Sequence, residues 1–307
     1  MENQDPKADA ETLRNAMKGK TKDQNVIIKL ITNRTNSQRL EIKEAYNSLY
    51  ESDLIKDLQK ELHGHFEDVV VALFYSPIDY DCFQLRKAVK GLGTDEDALI
   101  EILATRSPKV IEQIKQRYAE MYNGRDLIKD VEDDTSGNFR KILVALLDAK
   151  RPENSQINDA ECEKCAKMLL EASKQKKADA EIFTKIFTEK SKAEFIKIAQ
   201  LYFKLSKSTI LQTVEAEFSG DSKEALIGII YAMISPSEYF AKKVYKAVKG
   251  FGTNNNTLIR VLITRDEIDM PKIKQFFKQL YKKDMIEAIK DDTSGNYQKI
   301  LMELASH

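Results

Sequence analysis

Two short patterns in this 307-residue chain carry residue types that suit a hard cation. Val89-Lys90-Gly91-Leu92-Gly93-Thr94 recurs as Val248-Lys249-Gly250-Phe251-Gly252-Thr253, and Asp134-Thr135-Ser136-Gly137-Asn138 recurs as Asp292-Thr293-Ser294-Gly295-Asn296. Paired glycines let a bend take positive φ and turn its carbonyl oxygens outward. Ca²⁺ takes about six to eight oxygen ligands, many of them carbonyls and waters, with a carboxylate for charge. The first glycine precedes the aspartate by 43 residues in one copy (Gly91 to Asp134) and by 42 in the other (Gly250 to Asp292). Asp134 and Asp292 are thus the carboxylates that would complete a carbonyl-rich cage. Waters would fill its open positions, and a phosphate oxygen of an anionic lipid could replace one. Each pattern also has a plainer reading. The glycine loop can be a helix C-cap followed by the next N-cap, and the DTSG run a turn with an aspartate cap. The recurrence of both at one offset favours the cage, because a cap needs no distant carboxylate.

The elements that must position these residues repeat as well. Met17-Lys18-Gly19-Lys20-Thr21 is followed by Glu61-Leu62-His63-Gly64, and Glu217-Phe218-Ser219-Gly220 falls at the DTSG place of another copy. The loop that precedes Glu217 is Gln175-Lys176-Lys177-Ala178-Asp179, with no glycine. Arg34, Arg106, Lys190 and Arg265 mark one further register. Four units follow, 8–76, 77–150, 158–236 and 237–307, after a short tail at 1–7. The polar stretch 151–157, with Arg151-Pro152-Glu153-Asn154-Ser155, reads as the linker between two halves. Each unit is helical. In the second, Asp79 is expected to cap a first helix ending at Lys90-Gly91, and Thr94 with Asp97 has the spacing of a capping box. Ser107-Pro108 opens a third helix, and a short fourth starts near Asp126. The last carries Phe139, Ile142, Leu143, Leu146 and Leu147 on one face. Phe66, Val69, Val70, Leu73 and Phe74 repeat that stripe in the first unit, Ala225, Leu226, Ile229, Ile230 and Met233 in the third, and Tyr297, Ile300, Leu301 and Leu304 in the fourth. The expected fold is all-α, with about five helices per unit.

Composition excludes several classes. Lys plus Arg and Asp plus Glu both number 49, so the formal charge is zero and a polybasic grip on nucleic acid or membrane is not expected. The longest apolar stretches, 69–75 and 225–234, fall far short of the roughly 20 residues that span a bilayer. The acidic, polar start has no secretory h-region. Three cysteines make no disulfide framework, and Cys162 with Cys165 lack a second pair for a metal, which suits a reducing, cytoplasmic setting. An enzyme is not expected. Gly19-Lys20-Thr21 imitates a phosphate loop, but Arg14 stands where its first glycine belongs. Glu96 stands at the third glycine of a dinucleotide fingerprint, His63 and His65 are too isolated for zinc, and no EF-hand loop is present.

The KGxGT loop, the DTSG turn, the basic end of the second helix and the four-unit layout resemble the annexin family, over about Ala8 to Ala305. The resemblance implies four five-helix repeats in a slightly curved disk, with calcium sites that bind acidic phospholipids such as phosphatidylserine. It implies calcium ligands at Val89, Gly91, Gly93 and Asp134 in the second repeat and at Val248, Gly250, Gly252 and Asp292 in the fourth. Weaker candidates are Met17, Gly19, Thr21 and Glu61, because Thr21 replaces a glycine and Lys20 and Lys22 add positive charge. No calcium is expected at the third loop, where Glu217 remains but Lys176 and Lys177 replace the glycine bend. The short tail leaves little room for a partner helix. The resemblance implies a cytoplasmic protein that reaches membrane surfaces when calcium rises. The alternative is a membrane–cytoskeleton scaffold that binds protein partners largely without calcium.

Overall fold

The computed structural model describes residues 5–18, 23–91, 93–175, 178–250 and 252–307, and its regular elements there are twenty α-helices. They fall into four sets of five. The first holds α1 (Pro6–Lys18), α2 (Gln24–Thr32), α3 (Asn36–Tyr50), α4 (Leu54–Glu61) and α5 (Gly64–Leu73). The second holds α6 (Pro77–Ala88), α7 (Glu96–Thr105), α8 (Pro108–Met121), α9 (Leu127–Asp134) and α10 (Gly137–Leu147). The third holds α11 (Asp159–Ser173), α12 (Ala180–Glu189), α13 (Lys192–Ser206), α14 (Ile210–Glu217) and α15 (Gly220–Ile234). The fourth holds α16 (Pro236–Val248), α17 (Asn255–Arg265), α18 (Met270–Tyr281), α19 (Met285–Asp292) and α20 (Gly295–Ser306). The fourth helix of every set has eight residues and ends on the acid picked out from sequence.

Local chemistry fixes these boundaries. Ser107 caps α8 by accepting the Val110 N–H, with Pro108 at its first position. Asp53, Asp126 and Asp284 accept backbone N–H groups at the starts of α4, α9 and α19. Two expected caps belong to neighbouring residues. The cap of α7 is Asp95, which accepts from the Ala98 N–H, and not Thr94, whose hydroxyl is committed elsewhere. Asp79 lies inside the first turn of α6, and its N–H donates to the Ser76 hydroxyl. The fifth helices differ from the others. Each opens on a left-handed glycine (Gly64, Gly137, Gly220, Gly295; φ 59–66°) behind an extended residue that makes no side-chain cap.

The chain forms two compact units, Met1–Tyr80 with Phe240–His307, and Asp81–Tyr239. In each, the stripes of the fifth helices make core. Val69, Val70, Ile142, Leu143, Leu226, Ile229, Ile300 and Leu301 are all buried, each contributing about 1.5–3 kcal/mol of apolar burial. In the first unit α5 packs on α17 and α20, and α20 on α2. In the second, α10 packs on α12 and α15, and α15 on α7. The α15–α7 approach is close, since a Cβ added at Gly228 would lie 2.8 Å from Ile100 Cγ2. The segment around 151–157 lies within the second unit, where Arg151 donates to the Phe187 carbonyl and Ser155 to Ser191 and Glu194.

The basic register is a strut from the end of the second helix to the first. Arg106 grips Asp81 with two hydrogen bonds (2.7 and 2.8 Å), and Arg34 grips Asp9 (2.7 and 3.1 Å). Lys190 reaches Glu161 (3.3 Å). In the fourth set Phe240 takes the place of the aspartate, so Arg265 stacks over its ring (4.4 Å) and pairs with Asp269.

Candidate metal centre

The bend between first and second helices closes in one way in all four sets. Backbone N–H groups of Asp23, Asp95, Asp179 and Asn254 donate to the carbonyls of Ala16, Ala88, Ala172 and Ala247, at 3.1, 3.0, 3.2 and 2.8 Å. The same four residues then cap the next helix with their side chains. The bend therefore has one length whether or not it contains glycine.

In the second and fourth sets the bend carries two glycines at positive φ: Gly91 at 129° and Gly93 at 87°, Gly250 at 127° and Gly252 at 89°. An added Cβ at any of the four would meet nothing within 4 Å. The dihedral angle, not crowding, thus requires glycine there, and the space beside the bend is open. Val89 directly follows α6 and Val248 ends α16, both half-buried.

The distant acids arrive at these bends. The Thr94 hydroxyl donates to Asp134 Oδ2 (2.7 Å) and lies 3.0 Å from the Asp134 carbonyl oxygen. Thr253 repeats this on Asp292 at 2.6 and 2.9 Å. Each threonine thus ties the last residue of the fourth helix to the glycine bend across about 40 residues of chain. The 2.7 and 2.6 Å contacts to the carboxylates are those of charge-assisted hydrogen bonds. Sequence reading grouped these glycines with these aspartates but assigned the threonine to a cap. The available signal was a threonine directly after the second glycine in both loops. The next carbonyls are held too: Arg140 Nε donates to the Thr135 oxygen (2.7 Å), and Gln298 Nε2 to that of Thr293 (2.5 Å).

The surroundings of the fourth bend are partly acidic and aromatic. His65 meets Asp68 (3.1 Å) and the Asn255 amide (3.0 Å), beside the Tyr297 ring. Burial first, then the charges of Asp68 and Asp292, push the Tyr297 phenol well above its ordinary pKa. In the first set Met17 is buried in α1, Glu61 ends α4, and Lys18 pairs with Asp57 at 3.2 Å. Gly19 and Thr21, the other two candidates there, lie outside the described residues, as do Lys20 and Lys22. In the third set Glu217 ends α14 and buried Ala178 stands where Thr94 and Thr253 stand, while Lys176 and Lys177 lie outside the described residues.

The donor set at the second and fourth bends fits a hard dication: oxygen atoms only, one carboxylate each, on an open bend whose glycines free backbone carbonyls. Among the described residues no group of three or more His, Cys, Asp or Glu could hold a metal, so a site built from several side chains, of the kind zinc prefers, is not offered there. Nor, among those residues, is any helix long and apolar enough to cross a membrane.

The annexin family model matches four times, at residues 8–73, 80–146, 164–229 and 239–304. The chain belongs to the annexin family. It is 43% identical over 297 residues to annexin A4 of Homo sapiens, covering 96% of this chain and 93% of that protein. The solved structure of annexin III superposes with a TM-score of 0.96 at 34% identity, covering 100% of this chain and 95% of that one. A structure titled calcium-bound annexin (Sm)1 superposes at 0.87 and 30% identity, covering 99% and 90%. Annexins are generally calcium-dependent phospholipid-binding proteins without enzymatic activity. This annexin has the expected four all-helical repeats.

Proposed function

We propose that this annexin binds acidic phospholipid surfaces when calcium is present, through the bends of its second and fourth repeats. Gly91 and Gly93, with Val89, would offer backbone carbonyls, and Asp134 the carboxylate. Val248, Gly250, Gly252 and Asp292 would do the same in the fourth repeat. A bound calcium ion would supply a dication whose remaining coordination positions a lipid phosphate oxygen can fill. The protein's part is to hold carbonyls and carboxylate together and to keep the space beside the bend open. The observation that carries this reading is the threonine tie, which sets each aspartate against an open, left-handed glycine bend in both repeats. The calcium-bound annexin (Sm)1 structure supports the choice of ion. Zero net charge makes a metal-dependent device the physically sensible route to an anionic surface.

The test is sedimentation with phosphatidylserine-containing vesicles. The protein should pellet with vesicles in calcium and return to the supernatant when a chelator is added. Equal pelleting in chelator would favour the calcium-independent scaffold, with cytoskeletal protein partners, and would overturn this proposal.

A further inference from the structure

We infer that Thr94 and Thr253 are positioning residues that set the calcium threshold of the second and fourth repeats. This rests on the function proposed above. Asp134 and Asp292 sit on the last residue of an eight-residue helix, where fraying is easiest and where helical carbonyls lack intrahelical donors. The threonine hydroxyl reaches both groups, its single proton serving one acceptor at a time. It lies within hydrogen-bonding distance of the orphan carbonyl oxygen (3.0 and 2.9 Å), and it donates to one carboxylate oxygen (2.7 and 2.6 Å). These contacts are made by protein atoms alone and direct the carboxylate toward the bend. The hydroxyl engages Oδ2 and leaves Oδ1 free of it. Preorganisation of this kind lowers the ordering cost at the moment of binding.

The other two repeats supply the contrast. The bend has the same closure in all four, so the residue before Asp23, Asp95, Asp179 and Asn254 holds the same place in each repeat's sequence. It is threonine only in the second and fourth repeats. It is Ala178 in the third and Lys22 in the first, and neither side chain carries a hydroxyl. The threonine therefore accompanies the paired glycines and is absent where the pair is incomplete.

The experiment compares the full-length double variants Thr94→Val/Thr253→Val and Thr94→Ser/Thr253→Ser with the parent. Valine keeps the shape and removes the donor, while serine keeps the donor. Calcium affinity is measured by titration calorimetry without lipid, and the thermal midpoint is measured in chelator. The valine variant should weaken calcium binding by about fivefold or more, the scale of one ordinary hydrogen bond. The serine variant should stay within about twofold of the parent, because the donor is kept. A valine variant that remains folded in chelator and binds calcium as the parent does would overturn the inference, as would a serine variant as weak as the valine one. Asp134→Asn/Asp292→Asn separates the two levels. If that variant binds calcium unchanged, the proposed sites are wrong. If it is weakened while the valine variant is not, the sites stand and only the role of the threonines falls.

Discussion

The sharpest perturbation of the proposed sites is Asp134→Asn with Asp292→Asn. Each aspartate is half-buried at the end of its helix and already accepts a threonine hydroxyl. Asparagine keeps an oxygen that can accept the same hydrogen bond, so the helix end and the bend should survive and only the charge is lost. The size of the loss follows from Coulomb's law. At a calcium–oxygen separation of about 2.4 Å, a dication and a carboxylate attract by about 3.5 kcal/mol even at the dielectric constant of water. Desolvating the carboxylate returns part of that energy. A net loss of about 1.4 kcal/mol per site would already weaken calcium tenfold. The double variant should therefore raise the calcium concentration for half-maximal vesicle binding by at least about tenfold. Each single variant should give a smaller shift, because one intact site still tethers the protein to the surface. The assay is a calcium titration of vesicle sedimentation, with far-UV circular dichroism as the control for folding. A double variant with an unmoved midpoint and a parent-like spectrum would refute the assignment of these carboxylates.

Two further predictions concern the scaffold. Gly228→Ala should lower the thermal midpoint by up to a few degrees. The helix gains about 1 kcal/mol from alanine, but a Cβ 2.8 Å from Ile100 Cγ2 overpacks the α15–α7 approach at a cost of about 1–3 kcal/mol; a raised midpoint would show that Ile100 steps aside freely. The second concerns Asp130, whose carboxyl is held below the ordinary range by its hydrogen bonds to Arg125, and also to Tyr118, with Arg86 adding charge and burial opposing. A depressed carboxylate contributes stability that is present above its unfolded pKa of about 3.9 and lost as pH falls through the folded value. Urea denaturation should thus show Asp130→Asn destabilised at pH 7, with the gap to the parent beginning to narrow below about pH 4; a gap that stays constant as pH falls below about 4 would mean packing, not charge, is at stake.

The legibility of the sequence followed the range of each interaction. Repeated helices and their buried stripes could be read because 3.6-residue periodicity is local: Phe139, Ile142 and Leu143 are buried as their spacing requires. The pairing of glycine bend with distant acid could also be read, but only because two copies kept offsets within one residue of each other. The caps were less legible. Thr94 and Asp95 are adjacent, and both residue types cap helices, so sequence offers no means of choosing. The choice is made by Asp134, which draws the threonine hydroxyl away and leaves Asp95 to the Ala98 N–H. The strut of Arg265 was half legible. Its basic residue fell in register, but its exchange of an aspartate for the Phe240 ring depends on which side chain α16 presents.

The four bends separate what builds the fold from what could bind the ion. The closure from Ala16, Ala88, Ala172 and Ala247 to the following cap residue uses backbone atoms only, and each cap residue uses its own side chain. Neither step needs glycine or threonine. Substituting those residues therefore leaves the path between the first and second helices unchanged, as the third repeat demonstrates with Ala178 and the same closure at 3.2 Å. The acids at the ends of the fourth helices are likewise not needed to start the fifth, since a left-handed glycine does that in every repeat. Affinity for an ion can thus be gained or lost repeat by repeat at little cost to stability. On this basis the protein should keep its helices in chelator when Gly93 and Gly252 are exchanged for asparagine, with the thermal midpoint lowered only by the local strain of a side chain at φ 87° and 89°, while its response to calcium changes.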